Sequence, residues 1–312
     1  MSGQPDSPRL ATTLCGLSLT NPVIAASGTF AYGVEFAGIL NLNHLGGFVV
    51  KGLSREPIKG NPPPRLFEAE AGMLNSIGLQ NIGVRAFCEE KLPQLRGLKT
   101  RIFANVFGYA QEDYVEVVRV LEDHEGVDAY ELNVSCPNTK HGGMFFSSDP
   151  VLLGSLVGAV RAAASRPLIV KLSPNVARIQ PLAETAASAG ASAISLVNTI
   201  LALAVDAHTR KPRLGAGFGG LSGPAIKPIA LRMVYEAAQA VTIPIVGIGG
   251  IASGIDAAEF LIAGATAVQV GTATFWDPQS PVRIARELDQ FLKEEKIESV
   301  RSLTGTLEIN RP

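Results

Sequence analysis

The residues of this sequence with chemistry to offer are a thiol set among amides and two lysines that interrupt apolar runs. Cys136 stands in the stretch NVSCPN, from Asn133 to Asn138. The segment ahead of it, Tyr130 to Val134, reads as a strand. The thiol therefore falls in the loop past the strand's end, where a chain is more often open to a ligand than packed. A thiolate there can abstract a proton; packing as a small hydrophobe is the competing role. A cysteine–histidine hydrolase is poorly supported, because of His44, His124, His141 and His208 just His141 is near Cys136 in sequence. Cys15 and Cys88 read as packing residues. Lys51 and Lys171 each sit in an otherwise apolar run. One such lysine would ordinarily be a strand-end residue reaching for water, whereas two at one mouth would meet an anionic ligand. Asn75, Asn105, Asn133, Asn138 and Asn198 are each compatible with a turn or cap. Together they suit a planar polar ligand with alternating donors and acceptors, such as a flavin ring or a pyrimidine.

Short β-branched runs position these residues. They are VIAAS (23–27), GFVVKG (47–52), RIFANVFG (101–108), AYELNVS (129–135), LIVKLS (168–173), AISLVNT (193–199), PIVGIGG (244–250) and AVQVGT (267–272). Runs of this kind fit strands buried on both faces of a parallel sheet. Helix-like segments separate most of them, the clearest being 113–124, 150–165, 179–190, 226–241 and 254–265. Eight strands alternating with helices predict an α/β protein, a (β/α)8 TIM barrel, read as one domain over 1–312. An open doubly wound sheet is disfavoured by the strand count and by the lack of a GxGxxG turn after the first strand. The segment 10–22 looks like a hairpin plugging the barrel bottom. Two insertions, 52–81 after the second strand and 200–225 after the sixth, lie where a barrel builds its active site and are long for plain connections.

Each strand ends in something usable. Gly249-Gly250 and Gly271-Thr272 follow strands seven and eight, where barrels commonly bind phosphate through backbone N–H groups. Either pair alone would be no more than a tight turn; both together favour phosphate.

Composition narrows the function classes. The chain has 312 residues, 46% hydrophobic and 18% charged, with a formal net charge of −1, so it lacks the basic field of a nucleic-acid binder. No apolar run reaches the ~18 residues of a membrane span, and the first residues do not read as a signal peptide. Three scattered cysteines without CxxC or cysteine/histidine spacing argue against a metal or iron–sulfur site and fit a reducing cytoplasm.

Taken together, ELNVSCPN, NSIGLQN, IVKLSPN, LVNT, GGLSGPAIKP, VGIGGI and AVQVGTA resemble the class 1 dihydroorotate dehydrogenases, over about Leu10 to Leu292. The resemblance implies an FMN-containing (β/α)8 barrel that oxidises dihydroorotate to orotate in pyrimidine synthesis. By that resemblance Cys136 is the base that takes the C5 proton while a hydride leaves C6 for flavin N5. Asn75, Asn133, Asn138, Asn198 and Thr199 would clamp the substrate, and the backbone at Ile77, Gly78 and Leu79 would receive its carboxylate. Lys51 would touch flavin and substrate, and Lys171 would lie near flavin N1 and O2. Ser27, Gly52, Asn105, Asn133, Val197, Gly223, Gly249, Gly250, Gly271 and Thr272 would contact FMN.

The subclass is also an expectation from resemblance. Class 2 enzymes use serine as base and carry an N-terminal membrane segment. The fumarate-using class 1A type differs after SCPN and has proline where this chain has Gln80. NTKHGGMFFSSDP, GLQN and AVDAHTRKPRL resemble the NAD-linked class 1B type, which implies a partner subunit carrying FAD and a [2Fe–2S] cluster, and a homodimer within a heterotetramer. Three other readings stand beside this one: a fumarate-using class 1A dihydroorotate dehydrogenase, a barrel lyase or isomerase of a phosphorylated metabolite using Lys171 as a Schiff base, and a non-catalytic ligand-binding barrel.

Overall fold

The computed structural model of the protein describes residues 7–134 and 143–309. Eight parallel strands close into a barrel in sequence order: β1 (Val23–Ala25), β2 (Gly47–Leu53), β3 (Arg101–Val106), β4 (Ala129–Asn133), β5 (Leu168–Lys171), β6 (Ala193–Leu196), β7 (Ile245–Ile248) and β8 (Ala267–Val270). The expected (β/α)8 barrel is therefore the fold. The expected strands are all present; most run two to three residues shorter at their C-terminal ends, because those residues leave the ladder to form the mouth.

Strand residues alternate between two environments, as the period of a β-strand requires. One set, including Val23, Phe48, Ile102, Tyr130, Leu168, Ile194 and Val268, packs outward under the helices. The other set, Ile24, Val49, Phe103, Ala129, Ile169, Ala193, Val246 and Ala267, fills the lower lumen. The N-terminal hairpin, Thr12–Leu14 paired antiparallel with Leu17–Leu19, seals that end. Its Leu14 and Leu19 are buried in the same lumenal cluster, so the segment is the bottom plug that its position in the sequence suggests.

The helices lie where the apolar periodicity places them: Gln111–Glu122, Pro150–Ala163, Gln180–Ser188, Lys227–Ala240 and Gly254–Ile262. Local chemistry fixes their starts. Asp149 accepts from the N–H groups of Val151 (2.8 Å) and Leu152 (3.3 Å), with Pro150 at the first helical position, where its missing donor costs nothing. Ser253 Oγ accepts from Asp256 N–H at 3.1 Å while the Asp256 carboxylate accepts from Ser253 N–H at 2.8 Å, a reciprocal cap. Two connections depart from a plain helix. After β1 there are 3-10 turns, Val34–Phe36 and Leu42–His44; after the first insertion, Val84–Ala86 runs through a π-helical segment, Phe87–Lys91, into Leu92–Leu95. Pro93 removes one donor from that ladder, a setting that disrupts regular α-helical bonding.

The two insertions form one sheet. In it Leu66–Ala69 pairs with Gly72–Asn75 of the first insertion, Gly72–Asn75 with Gly219–Ser222 of the second, and Gly219–Ser222 with Ile200–Ala202, all antiparallel. Among the described residues, no helix is long and apolar enough to cross a membrane.

The lower lumen is a packed core sealed by the hairpin. Leu14→Ala should therefore lower stability by about 3 kcal/mol through lost burial and an unfilled cavity, measured as a reduced midpoint in urea unfolding.

Candidate active site

Above its apolar lower half, the lumen becomes polar by the same alternation. Two residues beyond Phe103, Ala129, Ile169, Ala193 and Ala267 come Asn105, Glu131, Lys171, Ser195 and Gln269, all buried. Their strands are in register at this level: Asn105 opposes Glu131, and Lys171 opposes Ser195. Glu131 is fully buried and is the hub. Its Oε1 accepts from Asn105 Nδ2 at 2.7 Å and lies 3.6 Å from Lys171 Nζ; its Oε2 accepts from Gln269 Nε2 at 2.6 Å and Ser195 Oγ at 3.1 Å. A carboxylate so placed costs too much to bury unless it is paired and hydrogen-bonded, and here it is both.

This layer floors a cavity of about 320 Å³ at the C-terminal ends of the strands. Every predicted site residue among the described ones lines it: Ser27, Lys51, Gly52, Asn75, Ile77, Gly78, Leu79, Asn105, Asn133, Lys171, Val197, Asn198, Thr199, Gly223, Gly249, Gly250, Gly271 and Thr272. Cys136 and Asn138 lie outside the described residues. By chain connectivity the thiol follows Asn133, the last residue of β4, by three positions.

The amides are held in defined orientations. Asn198 Nδ2 donates to Asn133 Oδ1 at 3.3 Å, and Asn198 Oδ1 accepts from Thr199 N–H at 2.8 Å. Asn75 Nδ2 donates to Gly220 O at 3.3 Å, across the sheet formed by the insertions. The turn at 77–79 is fixed from below, because Asn61 donates its N–H to Ile77 O (3.0 Å) and its Nδ2 to Ser76 O (3.0 Å). Gly78 has φ 73°, and a Cβ there would lie 2.5 Å from the Asn61 backbone nitrogen, so glycine alone fits. Gly250 is similar: at φ 77° its Cβ would lie 2.7 Å from Lys227 Cβ and 3.0 Å from Gly223 O. That close approach brings the loops after β6 and β7 together beside Thr272, whose Oγ donates to Ser222 Oγ at 2.8 Å.

Sequence reasoning missed Glu131, Ser195 and Gln269, and with them the network under the cavity. The available signal was their phase: each stands two residues from a lumenal apolar residue on its strand. It also missed the apolar lip. Phe275 and Trp276 line the cavity yet are 47% and 54% exposed.

The geometry is matched by ancestry. A family model described as dihydroorotate dehydrogenase covers residues 9–292. The chain belongs to the dihydroorotate dehydrogenase family. Among its relatives, a protein of Solibacter usitatus with the provisional name dihydroorotate dehydrogenase A (fumarate) is 71% identical over 96% of this chain and 99% of its own length. The dihydroorotate dehydrogenase B (NAD(+)) catalytic subunits of Citrifermentans bemidjiense and Geobacter sulfurreducens are each 51% identical over 97% of this chain and 99% of theirs. The names thus divide between two electron acceptors.

The two described cysteines lie away from the cavity. Cys88 is packed in the outer core, and Cys15 Sγ donates to Ser192 O at 3.3 Å by the hairpin. Burial pushes both thiols up to about 11, so at pH 8 both stay protonated and weakly nucleophilic. Brief iodoacetamide treatment of the native chain at pH 8 should leave both unmodified. Peptide mass mapping checks this, and carbamidomethylation at either position within minutes would contradict the burial.

Proposed function

We propose that the chain oxidises (S)-dihydroorotate to orotate in pyrimidine synthesis, with FMN as cofactor and Cys136 as base. The observation that carries this reading is the convergence, in one cavity of a dihydroorotate dehydrogenase family barrel, of two lysines, four asparagines and the Gly249-Gly250 and Gly271-Thr272 turns. The residues fit FMN by their own chemistry. Asn105 Oδ1 is buried without a hydrogen-bond partner among the described residues, an acceptor awaiting a ligand donor. Gly223, Gly249, Gly250, Gly271 and Thr272 offer backbone to a phosphate, and Ser27 and Gly52 line the same cavity.

Bound FMN would supply the acceptor for the hydride that leaves C6 of the substrate. The chain's own residues do the rest. Asn75, Asn133, Asn138, Asn198 and Thr199 orient the ring, the backbone at 77–79 takes the carboxylate, and Lys51 stands where substrate and cofactor meet. Cys136 takes the C5 proton. Lys171 places a fixed cation where negative charge accumulates, in a site that needs no reorganisation to provide it. The ion pair with Glu131 suits a charged lysine rather than the free amine of a Schiff-base enzyme.

Cys136→Ala should fold and bind FMN but lose flavin reduction by dihydroorotate. Cys136→Ser should be slow at neutral pH and improve as pH rises, because a hydroxyl ionises far less readily than a thiol, whose ordinary value is ~8.5. Stopped-flow absorbance checks both. Normal flavin reduction by the alanine variant would remove Cys136 from the role.

For the acceptor, we favour NAD reached through a partner subunit carrying FAD and a [2Fe–2S] cluster. The relatives named as NAD-linked catalytic subunits support this, as does the exposed Phe275–Trp276 lip, an apolar face beside the cofactor cavity. The fumarate reading rests on the name of the Solibacter relative. The purified chain should pass electrons from dihydroorotate to artificial acceptors but reduce neither NAD nor fumarate rapidly, with NAD reduction appearing when the partner is added. Rapid fumarate turnover by the chain alone would decide for the other type.

A further inference from the structure

Glu131 touches no part of the cavity, yet it touches two residues that do. Its Oε1 faces both Asn105 Nδ2 (2.7 Å) and Lys171 Nζ (3.6 Å), while Oε2 is held by Ser195 and Gln269. An ionised carboxylate only accepts hydrogen bonds, so it turns the donor end of any neighbouring amide toward itself. Both neighbouring amides obey: Asn105 and Gln269 direct Nδ2 and Nε2 at Glu131, and in both the carbonyl oxygen is buried with no hydrogen-bond partner among the described residues. For Asn105 that oxygen lies on the cavity side, 2.9 Å from where a Cβ of Gly52 would stand. Gly52 and Asn105 both line the cavity, and a side chain at Gly52 would press on this oxygen. At 3.6 Å, Lys171 is paired with Oε1 without a hydrogen bond, which leaves its protons for a ligand acceptor.

We propose that Glu131 is a positioning residue that sets the polarity of the cavity floor, turning Asn105 to present an acceptor and holding the Lys171 ammonium near it. The resulting pattern, an acceptor near a cationic donor, is the complement of an imide edge, in which N–H adjoins C=O. This deepens the FMN reading above and rests on it, since the pyrimidine ring of a flavin carries such an edge. Glu131 has a second consequence. Its negative charge, one layer below the ligand, offsets that of Lys171 and so tempers how strongly the site favours an anionic reduced ligand over a neutral oxidised one.

The test is Glu131→Gln, with FMN titrated into the apo-protein and the midpoint potential measured by dye equilibration. The near-isosteric amide removes the charge and lets Asn105 turn. Oxidised FMN should bind at least tenfold more weakly. The preference for reduced over oxidised FMN should rise at least tenfold, which is ~30 mV upward for a two-electron couple. A purely structural role would change thermal stability and leave the potential where it was. A variant that binds FMN with unchanged affinity and potential, or with a lowered potential, overturns the proposal. If the wild-type chain binds no FMN, the cofactor reading fails first and takes this proposal with it. Should Glu131→Gln not fold, Asn105→Ala carries the test against 3-methyl-FMN, which lacks the imide N–H. The wild-type chain should prefer FMN to the methylated cofactor at least tenfold, and Asn105→Ala should erase that preference; a preference that persists in the variant overturns the assigned orientation.

Discussion

A closed eight-stranded barrel turns every second residue of each strand into a lumen too narrow to hold bulk water, and that lumen must be filled. This chain fills it in two ways. The lower half takes Ile24, Val49, Phe103, Ile169, Val246 and small residues, stoppered by Leu14 and Leu19 of the hairpin. The upper half takes Asn105, Glu131, Lys171, Ser195 and Gln269. An apolar filling of the upper half would have left a stable barrel with an inert mouth. The polar filling gives the mouth a floor with charge and direction, and it obliges the strands to stay in register, because Glu131 binds groups from β3, β5, β6 and β8 at once.

Burying a carboxylate and an ammonium together seldom stabilises a protein, since desolvation offsets their attraction. The usual reason to retain such a pair is what it orients. The lower plug supplies the stability that makes the arrangement tolerable, and it lies on the opposite side of the charged layer from the ligand cavity. Stability and chemistry are thus stacked along one axis, with the same strands serving both and the side-chain phase deciding which residue does which.

That phase explains what could be read from the sequence. The barrel was legible because eight apolar runs recur between helical patterns, and the cavity was legible because family motifs such as NVSCPN and VGIGGI fall at strand ends. Lys51 and Lys171 drew notice as charges in apolar runs. Glu131 meets the same criterion, but it stands two residues before the NVSCPN motif and shares its strand with Asn133, so its charge is not distinguishable in sequence from the motif's own polar residues. Ser195 and Gln269 are uncharged, and without knowing which face of a doubly buried strand points inward they resemble tolerated polar residues. The pairing of the insertions was not legible at all: Asn75 faces Gly220 across 145 positions of sequence, and neither segment has a pattern that names the other.

That pairing has a functional logic of its own. A lumenal floor can recognise a flat ligand from one side only, because the strands end there. A second wall has to come from loops, and loops alone are mobile. Joining the two long insertions into a four-stranded sheet gives the wall a ladder of backbone hydrogen bonds. It places Asn75, Thr199 and Ser222 on or beside paired strands rather than on free loops. Thr199 packs so closely on Gly220 that a side chain there would meet its Oγ, and Ser222 is tied to Thr272 from the loop after β8. The wall is thereby fastened both to itself and to the glycine loops beside it.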